Sequence, residues 1–290
     1  MIIDAHVHLW EKQNGILNGK PVCPLWGGRS DFGGEEKQML PPYLYEGRNK
    51  VEALIANMDY AGVNGCVVTQ EYIDGNQDNY LLVAKEQYKE RMKICSLYEE
   101  KEDFAIEGFD GIKICAGRLK NHDLSVCYPV FEKASKTGKF ISIDLADGNI
   151  QTEALEELIQ EFPALKIAIG HFGMVTTKGW VEQIRLARYQ NVYVESGGIT
   201  WLFHEEFYPY ESAVKAILTA KDICGIEKLM WGSDYPRTMT AITYLMSLDF
   251  IIKSKLMTDK DKELFLGENA RSFYGFQQIA IPFRVKNMVE

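Results

Sequence analysis

The chain has 290 residues, of which 46% are hydrophobic and 25% are charged, and its 32 basic and 41 acidic residues give a net charge of −9. This length accommodates one large α/β domain or two small ones. The acidic balance offers no basic surface for nucleic acid or an anionic bilayer, so we expect a small-molecule partner.

The first predicted element is a buried strand in the opening stretch "MIIDAHVHLW". Asp4 and His6 interrupt this stretch too early for the apolar core of a signal peptide. No part of the chain approaches the ~20 apolar residues that span a bilayer, so we expect no membrane segment. Residues i and i+2 of a strand point to the same side, so His6 and His8 should share one face.

A long loop rich in proline and glycine follows, over residues of about 11–49. It carries Trp26, Arg29 and Phe32, and loops of this length in compact domains tend to be functional. We expect an aromatic lid suited to a planar or cyclic acid. The alternative is that Trp26 and its neighbours only pack over the rim of the domain.

Seven more apolar, β-branched runs follow and alternate with amphipathic helical patterns. The eight predicted strands are "IIDAHVH", "GCVVTQ", "KICSLYE", "GIKICA", "FISIDLA", "KIAIGHFG", "VYVESGG" and "LMWGSDYP". The segment "EKEDFAIEGFD", between the third and fourth strands, is the weakest predicted helix. Such alternation indicates a parallel sheet covered on both faces. Eight units, without GxGxxG after the first strand, predict a (β/α)8 TIM barrel.

We expect a single domain over residues 1–290, closed by a C-terminal helix and an irregular tail over about 258–290. The six cysteines stand singly, without a CxxC pair, which favours reduced thiols and a cytoplasmic location.

Polar side chains recur where the predicted strands end, and the active sites of such barrels lie at that end. The candidates are His6 and His8 on strand 1, Asp144 on strand 5, His171 on strand 6, Glu195 on strand 7 and Asp234 on strand 8. Strand 8 adjoins strand 1 in a closed barrel, so we expect Asp234 beside the two histidines. These residue types suit a divalent ion. Glu195 could equally point into the helix layer.

The same residues resemble the motifs of the amidohydrolase superfamily, in the branch that contains aminocarboxymuconate-semialdehyde decarboxylase and γ-resorcylate decarboxylase. "IDAHVHLW" resembles the Asp-x-His-x-His of its first strand, "AIGHFG" the Gly-His of its sixth and "MWGSDYPR" the Gly-Ser-Asp-x-Pro of its eighth. The closing segment "LGENARSFYGF" is also similar to the branch's last helix. The resemblance implies a metal-dependent barrel enzyme with one divalent ion, Zn²⁺ or Mn²⁺.

The sequence departs from this branch at the fifth strand, where Asp144 stands in place of a metal-ligating histidine. A carboxylate is a competent but harder ligand, so Mn²⁺ or weaker Zn²⁺ binding is expected. The resemblance implies as metal ligands His6, His8, Asp144 and Asp234. It implies that His171 and Asp234 move protons. A two-ion site would use a carboxylated lysine, for which Lys113 is available, but the missing histidine disfavours it.

The predicted reaction is hydrolysis, by a metal-activated water, of a small carboxylate-bearing substrate or of a cyclic ester, lactone or amide. Non-oxidative decarboxylation of an aromatic or unsaturated acid is the first alternative, because the same ion can hold a carboxylate and a neighbouring oxygen. A metal-free lactonase and a non-catalytic ligand-binding barrel stay open as further alternatives.

Substrate contacts are predicted from side chains in the loops that follow the strands. The candidates are Arg237, Arg118, Trp10 and His204. Arg237 is the first choice for gripping a carboxylate through a bidentate fork. His122 is expected to be solvated. Members of the resembled branch are often dimers, so a homodimer is a further expectation.

Overall fold

The computed structural model describes residues 1–44, 46–100, 104, 106–278, 280–286 and 288. In this part of the chain, eight parallel strands paired in chain order form the predicted (β/α)8 barrel. The strands are β1 (Ile3–Val7), β2 (Gly65–Val68), β3 (Met92–Leu97), β4 (Gly111–Cys115), β5 (Phe140–Asp144), β6 (Ile167–Ile169), β7 (Val192–Glu195) and β8 (Leu229–Met230). Their side chains are almost all buried because the barrel interior covers one face and the helices cover the other.

Helices follow most strands, and most of them pack on the outside of the barrel. They are α1 (Val51–Ala61), α2 (Asp78–Tyr88), α3 (Tyr128–Thr137), α4 (Thr152–Glu161), α5 (Trp180–Arg185), α6 (Ile199–Leu202), α7 (Glu211–Cys224), α8 (Met246–Lys253), α9 (Asp259–Glu263) and α10 (Asn269–Tyr274). The weakest predicted helix, between β3 and β4, lies partly outside the described residues. Its described part, which includes 106–110, contains no helix.

The barrel closes between β1 and the extended segment that follows β8. The Asp234 amide donates to the carbonyl of His6 at 2.9 Å, and the His8 amide donates to the carbonyl of Tyr235 at 2.8 Å. Val7 and Tyr235 form a parallel bridge between these two bonds. Backbone pairing therefore carries His6, His8 and Asp234 to the same point on the rim.

The insertion between β1 and α1 contains a small antiparallel sheet, here called the lid sheet. Its four strands are Ile16–Leu17, Lys20–Pro24, Arg29–Phe32 and Glu36–Gln38. Val22 and Phe32 pack against Ile73 on the loop after β2, which fixes the sheet to the barrel rim. Trp26 is 75% exposed. The strands are too short and too often interrupted by glycine and proline to give a clear alternating pattern, so the sequence indicated only a loop.

The C-terminal segment folds as α9, a π-helical turn (Leu264–Glu268) and α10. Thr258 and Asp261 form a reciprocal capping box at the start of α9, and Lys221 Nζ lies 2.8 Å from Asp261 Oδ2. This ion pair ties the segment to α7. Among the residues described, no helix has both the length and the apolar character needed to cross a bilayer.

Candidate active site

A cavity of about 760 Å³ opens at the carboxyl ends of the barrel strands. The strand ends contribute polar side chains to its wall, namely His8, Cys115, Asp144, His171 and Asp234. The lid sheet and the residue that follows it contribute Leu17, Phe32, Lys37 and Met39. The cavity is therefore bounded by the barrel on one side and the lid sheet on another, and it combines charged groups with apolar surface.

His6, His8 and Asp234 converge at one side of this cavity and are all buried. His8 Nε2 lies 3.0 Å from His6 Nε2 and 2.9 Å from Asp234 Oδ1. His6 Nε2 lies 3.9 Å from the same carboxylate oxygen. Asp234 has a φ of 58°, a left-handed conformation that residues other than glycine adopt rarely and that recurs at functional sites.

Glu195 points into the barrel and orients His6. Its Oε1 lies 2.6 Å from His6 Nδ1. A carboxylate can only accept, so Nδ1 carries the proton and the lone pair of Nε2 faces His8 and Asp234. Gly170 leaves room for this arrangement, because a Cβ there would lie 2.8 Å from Glu195 Oε1.

Asp144 lies between two cationic groups. Its Oδ2 is 2.6 Å from the Nζ of the fully buried Lys113 and 3.4 Å from His171 Nε2. The other ring nitrogen of His171, Nδ1, lies 2.9 Å from the carbonyl of Gly197 and donates to it. Asp144 is therefore the centre of a Lys113–Asp144–His171 array across β4, β5 and the end of β6.

Burial and neighbouring charges set the protonation states of these groups. Burial lowers the pKa of His171, but Asp144 outweighs burial and raises it to about 10. Burial raises the pKa of Asp144, but Lys113 and His171 hold it well below its usual value. Burial, with a further contribution from Arg237, lowers the pKa of His8. At neutral pH the site thus contains an imidazolium at His171, a neutral His8 and an anionic Asp144.

The donor atoms of His6, His8 and Asp234 fit a divalent cation. Burial raises the pKa of Asp234, but the His8 hydrogen bond and neighbouring cations outweigh it and keep the side chain anionic. Two imidazoles and one carboxylate are the donor set of several catalytic zinc sites, and a bound cation would take the place of the proton between His8 Nε2 and Asp234. Asp144 lies close enough to join His6 in a second candidate group with His171, although its Oδ2 is already paired with Lys113.

The four residues predicted to bind substrate lie in different places. Arg237 lines the cavity, and Arg118 lines it with a side chain that is 48% exposed and 3.8 Å from Glu71. Trp10 is fully buried behind Arg237, whose guanidinium carbon lies 5.7 Å from the centre of its indole ring. His204 is exposed and does not line the cavity.

Several groups at the site escaped the sequence analysis. Trp201 lines the cavity, and its Nε1 donates to Asp234 Oδ2 at 2.7 Å. Asp74, which is buried after β2, pairs with Arg237. Lys37 reaches the cavity from the lid sheet. His122 is exposed, as predicted, and lines the cavity with its exposed side chain. Trp201 follows the seventh strand, so its place in a βα loop was a usable signal, whereas Asp74 and Lys37 carry no motif.

Comparison with known proteins identifies a family and a fold. The family model described as Amidohydrolase matches residues 3–276. No curated protein sequence matches the chain.

Similar folds occur among solved structures. A probable 2-pyrone-4,6-dicarboxylic acid hydrolase from Acinetobacter baumannii, with citric acid bound, superposes with a TM-score of 0.70 at 16% identity, covering 94% of this chain and 99% of that one. An amidohydrolase from Burkholderia multivorans with bound zinc gives a TM-score of 0.69 at 13% identity, covering 95% and 99%. The 5-carboxyvanillate decarboxylase of Novosphingobium aromaticivorans, complexed with manganese and a nitrobenzoic acid, gives 0.52 at 18% identity, covering 77% and 79%.

Proposed function

Because this chain belongs to the amidohydrolase family, we propose that it is a metal-dependent hydrolase of a small substrate that bears a carboxylate or contains a cyclic ester, lactone or amide. One observation carries the proposal. The donor atoms of His6, His8 and Asp234 converge within 3.9 Å of one another, and two of these residues line a cavity large enough for such a molecule.

In this proposal His6, His8 and Asp234 hold one divalent ion, Zn²⁺ or Mn²⁺. Asp144, which the family resemblance suggested as a further ligand, is engaged with Lys113 at 2.6 Å. Its second neighbour, His171, lies 3.4 Å away. These contacts favour a role for Asp144 as counter-ion to both cations over direct ligation.

When bound, a divalent ion lowers the pKa of a coordinated water from 15.7 toward ~7 and polarises a carbonyl oxygen. The remaining chemistry belongs to side chains. His171 is held as an imidazolium by Asp144, so its Nε2 can donate a proton to the leaving group. Asp234 is anionic and can accept a proton from the attacking water. Glu195 accepts from His6 Nδ1 and so turns His6 Nε2 toward His8 and Asp234.

Metal analysis tests the ligand set. We expect about one Zn²⁺ or Mn²⁺ per chain by plasma mass spectrometry, in line with a mononuclear site. Asp234→Asn should lose most of it, and Asp144→Asn should keep it. Asp147→Asn, at another acidic residue of the cavity wall, is the matched control. Equal metal loss in a folded Asp144→Asn protein and in Asp234→Asn would restore Asp144 as a ligand. No metal after reconstitution would refute the proposal in favour of a metal-free lactonase or a binding protein.

Product analysis tests the reaction class. The metal-loaded protein is screened against lactones, esters and amides that carry a carboxylate, with aromatic and unsaturated acids tested for CO2 release. Hydrolysis that is lost in Asp234→Asn supports the proposal. Stoichiometric CO2 release without hydrolysis would replace it with decarboxylation, in which His171 would deliver its proton to carbon.

A further inference from the structure

Arg237 belongs to a buried chain of polar contacts that runs from the lid sheet to the cavity. Ser30, on the third strand of the lid sheet, donates through its hydroxyl to Gln13 Oε1 at 2.7 Å. Gln13 Nε2 donates to Asp74 Oδ1 at 3.0 Å. Arg237 Nη2 donates to the other oxygen of Asp74. Ser30, Gln13 and Asp74 are at most 3% exposed.

These contacts fix the orientation of the Arg237 side chain. Each oxygen of Asp74 accepts one hydrogen bond. Gln13 therefore fixes the rotation of the Asp74 carboxylate, and the carboxylate fixes the orientation of the Arg237 guanidinium. The Trp10 ring lies on another side, 5.7 Å from the guanidinium carbon. A guanidinium confined in this way loses little conformational entropy when it binds a ligand.

The guanidinium keeps donors available to the cavity. Within the described residues, only Nη2 makes a hydrogen bond, because Nη1 lies 3.9 Å from Asp234 Oδ1, beyond hydrogen-bond distance. Arg237 has a side chain that is 16% exposed and lines the cavity. A purely structural ion pair has no need of donors that face a cavity beside a candidate metal site.

We propose that Gln13 and Asp74 are positioning residues that hold the Arg237 guanidinium as the anchor for an anionic group of the substrate, and that Ser30 makes this anchor depend on the docked lid sheet. The inference rests on the proposed function in taking this cavity as the substrate site. It names the anchored group as a carboxylate or another planar oxyanion, because such groups accept two parallel bonds from one guanidinium.

A matched pair of probes isolates the anchor. Benzoate and benzamide have nearly the same shape and differ in charge, and their affinities are measured by calorimetry. A bound cation would also attract benzoate, so the protein is studied both metal-loaded and after chelator treatment. We expect the wild type to bind benzoate more tightly than benzamide in both states, and Arg237→Met to abolish this preference.

Gln13→Leu tests the positioning role without removing a charge. We expect benzoate affinity to fall about tenfold with benzamide affinity unchanged, which is the scale of one bond to a charged group. Ser30→Ala should produce a smaller change in the same direction and is the variant to use if Gln13→Leu does not fold. Gln160→Leu, at an exposed glutamine of α4, is the control and should change neither affinity.

Three results would overturn the inference: no preference for benzoate in the wild type, an unchanged preference in Arg237→Met, or an unchanged preference in a folded Gln13→Leu or Ser30→Ala. If the wild-type protein binds no metal after reconstitution but still prefers benzoate, the proposed hydrolase mechanism is refuted and the anchor stands. If the wild-type protein binds one metal ion but does not prefer benzoate, the anchor is refuted and the metal site of the proposed function stands.

Discussion

Glu195→Gln is the substitution that most directly tests how the site is organised. Glu195 is 1% exposed and accepts from His6 Nδ1 at 2.6 Å, from the Gly197 amide at 2.5 Å and from the His171 amide at 3.3 Å. Both of its oxygens therefore face N–H donors. A glutamine keeps the shape but turns one oxygen into a donor that faces another donor.

The expected loss of stability in Glu195→Gln follows from the hydrogen bonds that change. One charge-assisted bond is lost and one donor is left buried against a donor, so the free energy of unfolding should fall by about 2 to 3 kcal/mol. If the amide nitrogen faces His6, the ring loses the acceptor that fixes its tautomer. Loss of such a partner typically weakens metal binding by about 10- to 100-fold.

Urea unfolding and a competitive chelator titration measure the two effects of Glu195→Gln. Glu182→Gln, at an exposed carboxylate paired with Arg185, is the control and should change neither quantity. A folded Glu195→Gln protein that binds metal as tightly as the wild type would show that Glu195 does not orient His6.

Three further substitutions test other parts of the molecule. Gly170→Ala places a Cβ 2.0 Å from Asp144 Oδ1, so the carboxylate must leave its ion pair, and we expect a loss of about 3 kcal/mol or more in denaturant unfolding. Trp201→Phe removes the indole donor to Asp234 and should weaken metal binding by no more than about tenfold in a chelator titration, because water can replace part of the bond. Asp261→Asn should lower the free energy of unfolding by about 1 kcal/mol at pH 7, because it weakens the capping box of α9. The folded-state pKa of Asp261 is lowered, chiefly by its lysine partner, so this difference should be present above pH ~4 and disappear as the pH falls below that in a thermal-unfolding series.

The barrel was predictable because its signal is repeated. Eight apolar runs alternate with helical patterns, and each run is buried on both faces, so no single ambiguous segment decided the fold. Two geometric rules also indicated the neighbourhood of His6, His8 and Asp234. Residues two apart share a strand face, and the last strand of a barrel adjoins the first.

Other features depend on distances that the sequence does not encode locally. Asp144 meets Lys113 because of the stagger between β4 and β5, where Cys115 is the residue opposite Asp144. This stagger is a property of the closed barrel as a whole. Gln13 and Asp74 are 61 residues apart in loops, where hydrophobic periodicity gives no information.

The buried lysine on the fourth strand gives a physical reason for a carboxylate at the end of the fifth strand. A histidine in place of Asp144 would leave the Lys113 ammonium, which is 0% exposed, without its carboxylate at 2.6 Å. A buried charge that loses its partner typically costs about 3 to 5 kcal/mol. Replacing Asp144 alone is therefore expected to destabilise the protein. The Lys113–Asp144 pair adds no net charge to the site, and Asp144 still raises the pKa of His171. This pairing supports the proposed role of Asp144 as counter-ion to Lys113 and His171.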